Sequence, residues 1–128
     1  MKRLLSVLGL FLVLNVPAFA LSDAEYLKWK KNSAEFREAD KNMSESYISC
    51  KNILPRSDFE KVQREQREWI RSGRDERAEE IMENEGCSRL EAYIKATDER
   101  EYDLYHHIQM YELWYTQEYG RLPPSMEE

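Results

Sequence analysis

The residue types that most often carry catalysis or bind metals are few in this chain. His106 and His107 are its two histidines, and neighbouring positions on a helix direct side chains about 100° apart, which prevents both from binding one metal ion. Asp40 and Asp75 could form a general acid/base pair, but charged neighbours such as Arg74 argue against it. There is no nucleophile motif, glycine-rich phosphate loop or Cys-x-x-Cys-His haem motif. The sequence therefore predicts no enzyme, no catalytic residues, no metal site and no cofactor.

Residues 1–20, MKRLLSVLGLFLVLNVPAFA, have the features of a secretory signal peptide cleaved after Ala20. A basic start precedes an apolar run of 13 residues, Leu4 to Val16, shorter than the roughly 20 residues that span a bilayer. A retained membrane anchor is the alternative. Cleavage would leave 108 residues, enough for one small domain, and would change the formal net charge from −6 to −8. We expect a periplasmic or secreted protein that binds neither nucleic acid nor, after cleavage, a membrane.

Three helix starts are marked by a serine followed three residues later by a glutamate, the capping box that satisfies free backbone donors. These pairs are Ser22 and Glu25, Ser57 and Glu60, and Ser88 and Glu91. The helices should end near Leu54, which precedes a proline, near Gly86 and near Gly120. The sequence predicts an all-α domain over residues 21–120, an antiparallel three-helix bundle with long helices, followed by a disordered tail over 121–128.

Apolar residues recur with alternating spacings of three and four along each predicted helix. On the first helix the stripe is Tyr26, Trp29, Ser33, Phe36, Asp40, Met43, Tyr47, Cys50 and Leu54. On the second it is Phe59, Val62, Gln66, Trp69 and Ile70, and it resumes at Ala78, Ile81 and Met82 after a charged stretch. On the third it is Leu90, Ile94, Thr97, Glu101, Leu104, Ile108, Tyr111 and Tyr115. Each stripe is interrupted by polar residues near its middle.

The three interruptions fall at one level when the helices are placed in antiparallel register. Asp40 then lies opposite Ser72 to Arg74, which predicts a charge-assisted contact between Asp40 and Arg74. Gly73 would allow two backbones to approach there. The predicted polar layer, mainly structural in role, contains Asp40, Gln66, Gly73, Arg74, Asp75, Thr97 and Arg100.

The same segments resemble a known family. EADKNMSESY at 38–47, EQREWIRSGRD at 65–75 and TDER at 97–100 are similar to successive motifs of the LprI-like family, small secreted bacterial helical proteins named after a lysozyme inhibitor. The matching positions are Ala39, Asp40, Tyr47, Gln66, Arg67, Trp69, Ile70, Arg74, Asp75, Thr97 and Arg100. The resemblance covers about residues 30–104. It implies a lysozyme inhibitor-like binding protein whose partner is a cationic protein such as lysozyme.

Beyond the resemblance, the third helix carries five aromatic side chains that a core cannot all hide. These are the candidate partner-binding residues Tyr105, Tyr111, Trp114, Tyr115 and Tyr119. Packing among themselves or on Trp29 is the alternative. Two functions remain open: a binding protein or inhibitor whose acidic surface meets a cationic enzyme, and a small structural or stress-related envelope protein without an enzyme target.

Cys50 and Cys87 are the two cysteines of the chain, and two arguments about them conflict. An even number of cysteines in a secreted chain favours a disulfide. In straight helices, however, the two residues lie near opposite ends of the bundle, about 35 Å apart, whereas bridged Cα atoms come within about 7 Å. We expect two separated thiols and keep the intrachain disulfide as the alternative.

Overall fold

The computed structural model describes residues 20–126, and this part of the chain is helical with no strand. The predicted all-α class is therefore confirmed. The predicted signal peptide, apart from Ala20, lies outside the described residues. In chain order the elements are α1 (Asp23–Asn32), α2 (Ala34–Ile53), α3 (Arg56–Glu68), a π turn (Trp69–Gly73), α4 (Arg74–Glu85), α5 (Arg89–Tyr119) and a 3₁₀ turn (Pro124–Met126).

Most of the predicted helix ends are confirmed, because capping is a local property of the sequence. The hydroxyl groups of Ser22 and Ser88 accept backbone N–H groups at the starts of α1 and α5, and the Ser88 capping box is complete. Gly86 and Gly120 adopt left-handed angles at the ends of α4 and α5. The cap predicted at Ser57 is wrong: α3 already begins at Arg56, after a proline, and has no side-chain cap.

The first predicted helix is interrupted at Ser33, where a continuous stripe was expected. Ser33 has extended backbone angles (φ −117°, ψ 111°), and its hydroxyl accepts the backbone N–H of Phe36 at 3.1 Å. A straight helix would separate residues 26 and 40 by about 21 Å. Instead the Tyr26 hydroxyl donates to a carboxylate oxygen of Asp40 at 2.7 Å. The helix α1 therefore folds back against α2.

The π turn Trp69–Gly73 connects α3 to α4 and changes the direction that their side chains face. Gln66 and Asp75 are both buried, although nine residues of regular α-helix would place them about 180° apart. The π turn accommodates an additional residue, and the backbone N–H of Arg74 bonds to the carbonyl group of Trp69. The apolar stripe that lapses in this part of the sequence therefore resumes on α4 toward the core.

The core consists of two apolar clusters, and α5 passes through both because it packs against α2 and α4. The first cluster contains Phe36, Ala78, Ile81, Ala92, Tyr93 and Ala96. The second cluster contains Met43, Cys50, Leu54, Val62, Leu104 and Ile108. Tyr26 and Trp29 of α1 pack against the first cluster and cover it. In the described chain, no helix has the length and apolar character that crossing a bilayer requires.

The predicted apolar stripes agree with the observed burial. Every stripe position on α1, α2 and α5 is buried or half-buried. The stripe on α3 is wrong at Ile70, whose side chain is 49% exposed. The predicted stripe on the third helix missed Ala92, Tyr93 and Ala96, which are buried because α5 has neighbours on two sides.

The tail predicted to be disordered is partly folded. Residues 121–126 return toward the end of α2, where the Ser125 hydroxyl donates to the carbonyl group of Ile53 at 3.1 Å. Pro123 is buried, and Met126 packs against the second cluster. These contacts close the end of the molecule at which α2 stops and α3 begins.

The alternative disulfide between Cys50 and Cys87 is not formed, and both thiols are free. Cys50 belongs to the second cluster, where its thiol donates to the carbonyl group of Leu104 at 3.3 Å. Cys87 packs against the first cluster and is partly exposed. The two cysteines therefore lie in different parts of the core.

The two free thiols should react very differently with an alkylating reagent. Burial raises the pKa of Cys50 to about 11, and its side chain is 0% exposed, so little thiolate is accessible at pH 8. We expect the native protein to take up one equivalent of iodoacetamide at Cys87, and a second only after denaturation. Peptide mass analysis of wild type and Cys87→Ser checks this. A native monomer two protons lighter, with no reactive thiol, would contradict the separated arrangement.

Two glycine substitutions should have opposite effects on stability. A Cβ at Gly73, which has helical angles, would make ordinary contact with Trp69 at 3.5 Å, so Gly73→Ala should stabilise the protein by about 0.5–1 kcal/mol. Gly86 has φ +67°, so Gly86→Ala should destabilise it by about 1 kcal/mol. Urea unfolding followed by circular dichroism measures both changes. A large loss of stability in Gly73→Ala would instead indicate that another backbone packs on this glycine.

Candidate functional site

The buried polar side chains lie between the two apolar clusters. They are Asp40, Gln66, Asp75, Thr97 and Arg100. On α2 the buried aspartate lies between Phe36 of the first cluster and Met43 of the second, and on α5 the polar residues lie between Ala96 and Leu104. The predicted polar layer is thus a set of neighbouring positions in the middle of the molecule. Its hydrogen bonds, however, form separate groups.

The carboxylate of Asp40 forms the first group, and its partners differ from the predicted one. It accepts the Tyr26 hydroxyl at 2.7 Å and lies 3.6 Å from the ammonium group of Lys30, both on the folded-back α1. Burial, and then the hydrogen bond to Asp40, raise the pKa of Tyr26 to about 12. Among the described residues, Asp40 and Arg74 form no ion pair within 4 Å, so this predicted contact is wrong.

The guanidinium group of Arg74 instead lies over the indole ring of Trp69, 5.6 Å from its centroid. Trp69 is the first residue of the π turn and Arg74 directly follows the turn. Because a π turn bonds residues five apart in sequence, it places these two side chains on the same side. The predicted role of Gly73 is also wrong, since the atoms nearest to a Cβ there would belong to Trp69 and to the carbonyl group of Glu68 in the same segment, not to another helix. The glycine therefore belongs to the π turn rather than to a contact between two backbones.

Gln66 and Arg100 form the second group. The Arg100 Nε donates to the Gln66 side-chain oxygen at 2.8 Å, and the Gln66 amide lies 3.1 Å from the sulfur of Met43. Burial lowers the pKa of Arg100, while Glu65 and Asp103 oppose this effect. An arginine remains charged at neutral pH even so. This group joins α2, α3 and α5 through one buried cation.

Asp75 forms the third group, at the boundary with the first cluster. One of its carboxylate oxygens accepts the Tyr93 hydroxyl and the backbone N–H of Leu21, the latter at 3.0 Å. Burial, and then the bond to Asp75, raise the pKa of Tyr93 above its usual range. Thr97 is not part of this group, because its hydroxyl donates to the carbonyl group of Tyr93 on its own helix at 2.7 Å.

A separate, exposed set of side chains lies at the far end of α5. Tyr111, Trp114, Tyr115 and Tyr119 have neighbouring rings, with centroid separations between 4.5 Å for Tyr115 and Tyr119 and 6.2 Å for Trp114 and Tyr115. We call these four residues the aromatic patch. Trp114 and Tyr119 remain 51% and 57% exposed. The fifth predicted binding residue, Tyr105, is exposed but has no ring contact with the patch among the described residues.

A groove of about 350 Å³ separates the aromatic patch from α3. Its walls come from the two helices and from the residue that ends α2. They are Leu54, Asp58, Lys61 and Glu65 on one side, and His107, Met110, Tyr111 and Trp114 on the other. The sequence pattern missed the α3 side of this groove, because those residues approach α5 only through the tertiary fold.

Acidic side chains predominate around the groove. Between Arg100 and Arg121 the α5 sequence contains four carboxylates and no lysine or arginine. Glu65 also lies 3.3 Å from the His107 ring, a contact that becomes an ion pair only when the histidine is protonated. The groove therefore combines aromatic faces with negative charge, which suits a cationic side chain more than an acidic one.

The hydrogen bond between Tyr26 and Asp40 should make stability fall in alkaline solution. A phenol whose pKa is raised from 10 to about 12 contributes stability that is complete below pH 10 and is lost as the pH rises through 12. Tyr26→Phe should lower the free energy of unfolding by about 1–2 kcal/mol at pH 7 and should weaken the loss between pH 10 and 12.

The matched control is Tyr102→Phe, since Tyr102 is 64% exposed and its hydroxyl has no hydrogen bond among the described residues. This control should match wild type at every pH. Urea titrations at pH 7, 10 and 11.5 provide the measurement. Identical pH profiles for wild type and Tyr26→Phe would show that the hydroxyl does not bond to Asp40 in solution.

Neither the polar layer nor the groove has the arrangement of a catalytic centre with a nucleophile and a base. Among the described residues, no group of three His, Cys, Asp or Glu side chains is placed to hold a metal ion. Comparison with known proteins found no matching family model, no similar curated protein and no similar solved structure.

Proposed function

We propose that this chain is a secreted or periplasmic binding protein that uses the aromatic patch and its groove to bind a cationic protein. The observation that carries the proposal is the exposure of Trp114, which lines the groove together with Asp58 and Glu65 and has the exposed Tyr119 beside it. Exposed aromatic side chains grouped on one surface are typical of binding sites. Export would place this surface outside the cytoplasm.

The groove provides the chemistry for one inserted lysine or arginine side chain. The apolar part of such a side chain would pack on Tyr111 and Trp114, while its charged end would approach Asp58 or Glu65. Two carboxylates and one lysine line the groove, which leaves a net negative charge for the partner. The formal charge of −8 after signal removal would attract a cationic partner over a longer distance.

Lysozyme is the candidate partner that the LprI-like resemblance implies. We further infer that α2, α3 with α4, and α5 make an antiparallel three-helix bundle. Contacts such as Met43 with Gln66 and Tyr47 with Phe59 run in opposite directions along α2 and α3, which supports this arrangement. In the bundle, the polar layer holds the helices in register, and the end of α5 presents the binding surface.

Binding to lysozyme should depend both on salt and on Trp114. We expect the affinity measured by isothermal titration calorimetry to fall between 50 and 300 mM salt, because screening weakens attraction between exposed charges. Trp114→Ala should weaken binding by at least about tenfold at both salt concentrations. Leu27→Ala is the control, since Leu27 is 62% exposed on α1, away from the groove.

Two charge-reversing substitutions distinguish the effect of the groove on binding from the effect of the overall net charge. Asp58→Lys and Glu76→Lys change the net charge equally, but Asp58 lines the groove whereas Glu76 is exposed on α4. Asp58→Lys should weaken binding several-fold more than Glu76→Lys. Equal effects of the two substitutions would indicate that the partner does not bind at the groove. The absence of any lysozyme binding would favour the structural or stress-related envelope protein that the sequence leaves as the alternative.

A further inference from the structure

The backbone nitrogen of Leu21, just before α1, contacts a buried side chain that is distant in the sequence. It donates to the Asp75 carboxylate at 3.0 Å, across 54 residues of sequence. The Leu21 side chain packs against the first cluster, and Asp75 is only 6% exposed. Leu21 is also the residue that would become the amino terminus if the signal peptide is cleaved after Ala20. The nitrogen that cleavage would turn into the amino terminus is therefore the same atom that contacts the buried carboxylate.

In the described part of the uncleaved chain, Asp75 has no direct ion-pair partner, although Arg89 lies near enough to interact with its charge. Its hydrogen bonds come from the neutral Tyr93 hydroxyl and the neutral Leu21 amide, and among the described residues it forms no ion pair within 4 Å. A buried carboxylate without a paired charge is costly, because little solvent remains to stabilise it. A cation at the Leu21 nitrogen would supply that charge at 3.0 Å, while cleavage would remove the contact between Arg89 and the Ala20 carbonyl group.

The structure assigns Asp75 as the receptor for the amino terminus of the processed protein: cleavage after Ala20 replaces the Leu21 amide by an α-ammonium group that forms a buried ion pair with Asp75. The inference rests on the export included in the proposed function. In the reaction, water adds across the Ala20–Leu21 peptide bond under the action of a signal-removing endopeptidase. Ala20 leaves as a carboxylate, and the Leu21 amine takes up a proton.

The surroundings of Leu21 hold the new terminus in place. Ser22 caps α1, and two nitrogens of Arg89 donate to the two carboxylate oxygens of Glu25, each at 2.9 Å. An α-amino group ordinarily titrates near pH 8, so it is largely an ammonium at pH 7. Because each residue adds about 3.5 Å of extended chain, cleavage one position earlier or later would carry the charge away from Asp75.

The test compares three purified chains that begin at Leu21, at Ala20, and at an N-acetylated Leu21. All the helices and both clusters lie after residue 20, so each chain retains them. We expect the unfolding equilibrium constant in urea at pH 7 to be about tenfold smaller for the chain with the free Leu21 terminus than for the other two. Equal stability of the three chains would overturn the assignment.

Two substitutions identify the partner of the new terminus. Asp75→Asn should abolish the difference between free and acetylated Leu21, whereas Asp40→Asn, another buried carboxylate, should preserve it. A difference that persists in Asp75→Asn would overturn the assignment. If Asp75→Asn fails to fold, the assignment can be tested without a substitution, by measuring the rate at which the free Leu21 amine of the wild-type chain is acylated. It should be at least tenfold slower in the folded than in the urea-unfolded protein, and equal rates would refute the ion pair.

The stability and acylation measurements are independent of the proposed function. They use no partner and no export, so a failed lysozyme assay would leave them interpretable, and equal stabilities would leave the groove proposal intact. Intact mass of the exported full chain gives the position of cleavage. A mature terminus at a residue other than Leu21 would overturn the inference even if the shortened chains behave as expected.

Discussion

Three charged side chains of the described chain are buried between the two apolar clusters. Asp40, Asp75 and Arg100 lie where little solvent can reach them, and an ion left alone there would cost several kcal/mol. Each has therefore acquired hydrogen-bond partners from a different element. Tyr26 reaches Asp40 from α1, and Gln66 reaches Arg100 from α3. The positions of the helices follow from these pairings as much as from apolar packing.

Two departures from regular α-helix bring the partners into place. The extended residue Ser33 allows α1 to fold back, which carries Tyr26 to Asp40 and covers the first cluster. The π turn at Trp69–Gly73 rotates α4 so that Asp75 faces inward on the same side as the apolar stripe of α3. Both features lengthen or bend the chain locally, and both are stabilised by contacts that form only in the folded molecule. The break at Ser33 and the π turn therefore bring the buried charges of the polar layer to their hydrogen-bond partners.

The length of α5 separates the structural part of the protein from the proposed binding surface. At 31 residues, α5 extends about 46 Å, so that the part up to Ile108 can lie in both clusters while its end remains accessible. The residues returning after Gly120 pack near the end of α2 and close the core beneath the groove. The aromatic patch can therefore change without disturbing the polar layer.

Capping and periodicity act over a few residues, so the sequence was enough to predict the helical class, the glycine ends of α4 and α5, and nearly all buried stripe positions. It also indicated that polar residues interrupt each stripe at one level. The fold was needed to show that Asp40 contacts Tyr26 rather than Arg74, and that the Leu21 nitrogen lies against Asp75. It likewise decided which α3 residues face the end of α5 across the groove. The first two contacts join residues 14 and 54 positions apart, and no local spacing can specify such contacts until a fold-back and a π turn have set the directions of the helices.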